Sequence, residues 1–449
     1  MKRIWIKNPL AIYVPDGVNA EGGIVISENK IVELVTKGTQ PTTPCDTIFD
    51  AGNHVVLPGL INTHHHFYQT LTRAVPDACG KELFDWLKVL YKIWANLSPE
   101  HIASSSRLAL VELLLSGCTT ASDHHYVFPG GLEHAIDLQI KEAAKLGMRV
   151  SLTRGSMSLS VEDGGLPPKS VVQSEEVILT DSERLIEKYH QAAPGAMVQI
   201  ALAPCSPFSV TETLMTETAL LARRHGVRLH THLAETHDET SYCIDLFGVR
   251  PVDYLERVGW LASDVWLAHG IQFEPEEINR LGAAGVGISH CPSSNMVLAS
   301  GICSTLDLEA AGCPVGLGVD GSASNDCSNL MQEVRQALLL QRLKYGSAKV
   351  GHRDALRWST KGSARCLGRG DDLGEISPGK QADLALFKLD ELRFSGTGDP
   401  LAALVMCGAH KADYVMIAGK WVVRDGEVPG LDLEELINEH SGLAKTLLV

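Results

Sequence analysis

Apolar, β-branched runs alternate with amphipathic stretches eight times through the middle of this 449-residue chain. The runs end at THHH (63–66), SDHH (122–125), LTRGSM (152–157), LAPCS (202–206), HTHLAE (230–235), WLAHG (266–270), ISHCP (288–292) and GVDGS (318–322). Each is followed, directly or after a loop, by a helical pattern such as SSRLALVELLLSG or TETLMTETALLARRHG. Strand–helix alternation predicts a parallel sheet, and eight units predict a closed (β/α)8 TIM barrel of the α/β class. Such barrels do their chemistry at the C-terminal ends of the strands. The chain's unusual residues fall at those ends.

The two flanks read differently. MKRIWIKN, GGIVISENKIVELV and TIFDAGNHVVL at the start, and GEISPGKQADLALFKL and YVMIAGKWVVRDGEV near the end, are short strands broken by Gly, Asn and Pro. Two β-rich ends predict mutual pairing. The expected organisation is residues 1–56 and 374–449 forming a small β-domain, with a terminal helix, around a barrel at 57–373. Two loops are long enough to act as lids or substrate walls, or as solvated insertions: residues 67–97, with Gln69, Trp86 and Trp94, and residues 155–180.

Composition narrows the partners. Lys and Arg total 39 against 54 Asp and Glu, a formal net charge of −15. So negative a surface repels nucleic-acid polymers and anionic membrane surfaces, so a small substrate is expected. No apolar run approaches the roughly 18 residues that span a bilayer. Lys7, Asn8, Pro9 and Asp16 interrupt any signal-peptide core, so a cytoplasmic protein is expected. Eleven cysteines without a CxxC pair predict reduced, mostly buried thiols.

The 18 histidines carry the chemistry. Along a strand, residues i and i+2 face the same side, so His64 and His66 converge while His65 points away. His230 and His232 also share a face; His232 lies nearer the strand end, where a ligand belongs. Glu235 follows as the chain leaves that strand, either as a proton acceptor for water activated at a metal or as a helix N-terminal charge. His269 ends the next strand. Asp320 ends the last one, as a ligand or as a turn residue. Three histidines and a carboxylate form a nitrogen/oxygen set for one Zn²⁺ or Fe²⁺ ion, zinc being the better fit. The segment Ala203-Pro204-Cys205-Ser206-Pro207 offers no lysine to bridge a second metal. His124 and His125 read as partners that orient ligands, and His290 as one of these or as a core residue.

With PGLINTHHH, HTHLAE, AHG, HCPSSN and GVDGSASND in this order and spacing, the chain resembles the amidohydrolase superfamily along essentially its whole length. It is most similar to the mononuclear deaminases of purines, pyrimidines, pterins and triazines. Within that branch, GSMSLSVEDGGLPP (155–168), LFDWLKVLYKIW (83–94) and APCSPFSV (203–210) are most like the 8-oxoguanine deaminases. The resemblance implies that the terminal strands form a β-sandwich beside the barrel and that the protein is a homo-oligomer. It also implies metal ligation by His64, His66, His232 and Asp320, proton transfer by Glu235, and polarisation by His269. The implied reaction converts 8-oxoguanine and water to urate and ammonia. Its alternatives are isoxanthopterin, other pterins or guanine as substrate, or a triazine-type hydrolysis; Cys205 argues against guanine.

Four residues are expected to meet the ring. Gln69 offers an amide. Trp86 either stacks on the heterocycle or packs the lid. Arg154 either donates to a ring carbonyl or is ion-paired. Cys205 either lies against the 8-oxo group or is a buried structural thiol.

Overall fold

The computed structural model describes residues 3–448. Eight strands, Leu60–Asn62, Cys118–His125, Arg149–Ser156, Val198–Pro204, Leu229–Leu233, Val265–His269, Gly287–His290 and Val315–Leu317, close into one parallel barrel in chain order. They are buried almost throughout, which explains why they read as continuous apolar runs rather than alternating ones. Side chains complete the closure where the ladder is thinnest. The first and eighth strands share a single register pair, Asn62 with Leu317. Asn62 Oδ1 accepts the Val319 N–H at 2.9 Å, and Thr63 Oγ1 donates to the Leu317 carbonyl at 2.9 Å. Gly318 permits this approach, since a Cβ there would stand 2.7 Å from the Cβ of His64.

The helices follow from their local signals. In Glu212–His225, Thr211 caps the start by accepting the Leu214 N–H, and Gly226 ends it at φ 66°. A cap of this kind is worth about 1 kcal/mol. Leu214, Met215, Ala219 and Ala222 form the face it buries against the barrel.

The termini meet as the sequence predicts. Leu384–Lys388 pairs antiparallel with His54–Pro58 inside a five-stranded sheet. A four-stranded sheet of Lys30–Val35, Gly23–Ser27, Arg3–Lys7 and Thr47–Asp50 accompanies it. Ile6, Ile24 and Ile26 from one sheet pack with Val56, Leu384 and Met416 from the other in a common core. Arg149, on the third barrel strand, fastens the two parts by donating to both Asp383 carboxylate oxygens, at 3.0 and 3.1 Å. The last helix spans Leu433–Leu447. Among the described residues no helix is long and apolar enough to cross a membrane.

Candidate metal centre and substrate cavity

The histidine and aspartate side chains expected at the strand ends come together at the mouth of the barrel. His66 Nε2 and His232 Nε2 lie 3.2 Å apart. Asp320 Oδ1 is 3.3 Å from His64 Nε2 and 3.2 Å from His66 Nε2. His64, His66 and His232 offer ligand atoms within 4.8 Å of one another, as do His64, His269 and Asp320.

The hydrogen bonds behind these rings determine what they present. His66 Nδ1 donates to the His124 carbonyl at 2.7 Å, and His232 Nδ1 to the Cys205 carbonyl at 2.6 Å. His230 Nδ1 donates to the Trp266 carbonyl at 2.8 Å, so its Nε2 must accept from His64 Nδ1, also at 2.8 Å. Those partners assign each proton to Nδ1 and leave three Nε2 lone pairs facing one another. Burial drives the His64 imidazole well below its ordinary pKa, and burial with neighbouring rings drives His232 down to about 3. Both rings are therefore neutral. His64 Nε2 has no hydrogen-bond partner. Converging lone pairs beside a carboxylate repel unless a cation lies among them, so this donor set fits a divalent metal ion.

Three strand ends depart from ordinary backbone geometry. Ala234, His269 and Asp320 adopt φ values of 52°, 69° and 63°. Non-glycine residues held there cost on the order of 1–3 kcal/mol each. The loop bonds offset this: the Asp320 N–H donates to the His64 carbonyl at 3.1 Å, and the Gly321 N–H to Asp320 Oδ1 at 2.7 Å.

Glu235 and His269 complete the polar side. Glu235 Oε2 is 3.4 Å from His269 Nε2, and Glu235 Oε1 accepts from Ser300 Oγ at 3.4 Å. Burial raises the Glu235 carboxyl against the opposing pull of His269. Burial disfavours the His269 imidazolium, yet the Glu235 and Asp320 carboxylates outweigh it and raise the ring's pKa. His269 Nδ1 bonds to Asn295 Oδ1 at 3.0 Å, which aims Nε2 at Glu235 and Asp320.

A cavity opens over this cluster. Leu83, Trp86, Leu87, Phe208 and Leu298 give it apolar walls; Gln69, Tyr91, Tyr126 and Cys205 add polar atoms. Gln69 lies so close to the last strand's loop that a Cβ on Gly321 would stand 1.9 Å from its Oε1, and that oxygen has no partner. Trp86 is tied down by its Nε1 donating to the Ala323 carbonyl at 3.3 Å. The Cys205 thiol is pushed up to about 12 by burial, so it is a neutral wall group.

Arg154 is a correction. It does not line the cavity. Its Nε donates to Asp181 at 2.9 Å, its other nitrogens to the Gly155 carbonyl at 2.6 Å and Gln173 at 2.8 Å, and its guanidinium stacks 4.1 Å from the Phe128 ring. Asp181 belongs to the helix Glu175–Tyr189, so the side chain leaves the barrel interior for the helical layer, with each guanidinium nitrogen engaged there. The two long loops also differ. Residues 67–97 supply Gln69 and the cavity-facing helix Leu83–Trp94, whereas no residue of 155–180 lines the cavity. His125 and His290 stay in the core. His124 stacks on His232 with 4.8 Å between centroids. Tyr91, Tyr126, Phe208 and Glu239 line the cavity without having been singled out in the sequence. Tyr91 lies four residues beyond Leu87 and eight beyond Leu83, a spacing that a core position of the same helix shares.

A closed (β/α)8 barrel with three histidines and an aspartate converging at its C-terminal mouth defines a metal-dependent hydrolase framework. The chain belongs to the amidohydrolase family, whose model matches residues 55–422. It is 63% identical over 448 residues to an 8-oxoguanine deaminase from Pseudomonas aeruginosa, covering 100% of both chains. It is 35% identical over 431 residues to an isoxanthopterin deaminase from an unknown prokaryotic organism, covering 92% of this chain and 89% of the other. Among solved structures it matches an atrazine chlorohydrolase from Arthrobacter aurescens TC1 complexed with zinc, at a TM-score of 0.91 and 32% identity, over 99% of this chain and 100% of that one.

Proposed function

We propose that this chain is a metal-dependent aminohydrolase that converts 8-oxoguanine and water to urate and ammonia. The proposed ion is a single zinc held by His64, His66, His232 and Asp320, with Glu235, His269 and Asp320 handling protons and charge. Three imidazoles and one carboxylate, whose ligand atoms converge beneath a cavity with apolar walls, carry this reading. The full-length likeness to an 8-oxoguanine deaminase supports the substrate.

A bound divalent ion supplies Lewis acidity and lowers the pKa of water toward about 7. The chain's own groups do the rest. Glu235, with its raised pKa, takes one water proton and delivers it to the ring nitrogen beside the attacked carbon. His269, held by Asn295, points Nε2 at the place where negative charge develops on oxygen. Asp320 accepts the second water proton, which passes to the exocyclic nitrogen. The carbon–nitrogen bond breaks, ammonia leaves, and the water oxygen remains as the new carbonyl. Trp86 and the leucine wall exclude bulk water, while Gln69 and Cys205 bound the ring's polar edge.

The test is ammonia release from 8-oxoguanine, guanine and isoxanthopterin by zinc-loaded enzyme. The highest kcat/KM is expected for 8-oxoguanine. A preference for guanine or isoxanthopterin overturns the substrate assignment.

A further inference from the structure

Glu239 is the one cavity-lining carboxyl without a role in the chemistry above. It sits in the first turn of the helix His237–Phe247 and is 1% exposed. Its two oxygens differ in their partners. Oε2 accepts the Glu235 backbone N–H at 3.0 Å, whereas Oε1 has no hydrogen-bond partner. Burial pushes the carboxyl up to about 7 against the Glu235 and Ala234 amides.

Two other buried carboxyls show what a structural role looks like here. Asp123 uses Oδ1 for the Phe67 N–H at 2.6 Å and Oδ2 for Gln139 Nε2 at 2.7 Å. Glu333 uses Oε2 for the Ser293 N–H at 3.1 Å and Oε1 for Asn325 Nδ2 at 2.9 Å. Neither lines the cavity. A buried acceptor without a donor costs on the order of 1–3 kcal/mol. At the wall of a substrate cavity, a ligand can supply the missing donor.

We propose that Glu239 is a substrate-specificity residue whose Oε1 accepts a hydrogen bond from a ring N–H of the bound heterocycle, while Oε2 keeps hold of the Glu235 backbone. The proposal rests on the deaminase reading and deepens it. 8-Oxoguanine carries N–H groups at both nitrogens of its five-membered ring, where either tautomer of guanine has one N–H and one bare acceptor nitrogen. A carboxylate oxygen in the wall therefore favours the oxidised ring. It leaves guanine's acceptor without a partner.

Glu239→Gln separates the two functions. The Glu235 N–H needs an acceptor, so the amide oxygen must take the place of Oε2. That turns the NH2 group to where Oε1 stood and replaces an acceptor with a donor. Zinc-loaded Glu239→Gln enzyme is expected to bind one zinc and melt like the wild type. Its KM for 8-oxoguanine and its inhibition constant for urate should both rise on the order of tenfold or more, with a much smaller change in kcat. Both constants within twofold of the wild type overturn the proposal. A fall in kcat at unchanged KM also overturns it, because it leaves Glu239 with the backbone clamp alone. If the variant does not fold, wild-type enzyme with 1-, 7- and 9-methyl-8-oxoguanine tests the same bond. Unchanged KM across all three means that no ring N–H is read. Ammonia release from 8-oxoguanine by the wild type judges the deaminase reading separately.

Discussion

Glu235 and Arg154 are both buried, charged and near the C-terminal ends of barrel strands, yet their surroundings are opposite. Arg154 has protein partners for each guanidinium nitrogen and an aromatic ring against its face. Glu235 has only long contacts, 3.4 Å to Ser300 and 3.4 Å to His269, and opens onto a cavity. Around Glu235 stand further groups in the same condition, including His64 Nε2, Gln69 Oε1 and Glu239 Oε1, none of them partnered. A buried polar group whose bonds are complete holds the fold together. Several incomplete ones converging on one space mark where something else binds.

The contrast gives an ordered set of expectations. The largest effect belongs to Glu235→Gln, which keeps the shape and removes the ionisable group. It should lower kcat/KM for 8-oxoguanine by about 10²–10⁴-fold while zinc content stays at the wild-type level. Retained turnover would remove Glu235 from the proton path. Arg154→Met should act the other way. It should destabilise the fold by about 1–3 kcal/mol in urea unfolding, because Asp181, Gln173 and the Gly155 carbonyl lose the guanidinium donors while Arg184 still pairs with Asp181, and kcat/KM of the folded enzyme holds. A collapse of kcat/KM with unchanged stability would return Arg154 to the substrate site.

Smaller effects sharpen the picture. His230→Leu removes the acceptor that keeps His64 protonated on Nδ1. Zinc affinity, measured by competition with a chelating dye, should weaken about 10–100-fold. Unchanged affinity would show that His64 needs no such partner. The smallest effect is a pH slope. Burial raises Glu333 from 4.5 to about 7. Between those values the folded protein holds a proton that the unfolded chain has released, so this residue's contribution to stability declines as pH rises through that window. Glu333→Gln should flatten that part of the profile, and an unaltered slope would contradict it.

Much of this was legible in the sequence for a physical reason. Parallel barrel strands are buried on both faces, so they appear as apolar runs, and a ligand-bearing strand end interrupts such a run with polar residues. That contrast exposes His64, His66, His232, His269 and Asp320 together. The pairing of the two β-rich flanks was equally readable, because neither could cover its own apolar face. The sequence was silent on direction. Arg154 and His125 are register neighbours on adjacent strands, and whether a side chain at a barrel's rim enters the mouth or turns into the helical layer depends on tilt and on partners such as Asp181, distant along the chain. Tyr91 and Glu239 were hidden for another reason. They lie on helices, where a cavity-facing residue has the same periodicity as a core residue.

The central claim is that four side chains, brought from three parts of the chain, hold one cation on which turnover depends. Titrating metal-free protein with zinc, while following bound metal and ammonia release from 8-oxoguanine together, tests it most directly. The account predicts that both rise in parallel and level off at one equivalent of zinc, with ammonia and urate formed in equal amounts. Full activity without metal, saturation at two equivalents, or tight single-site binding with no ammonia would contradict it.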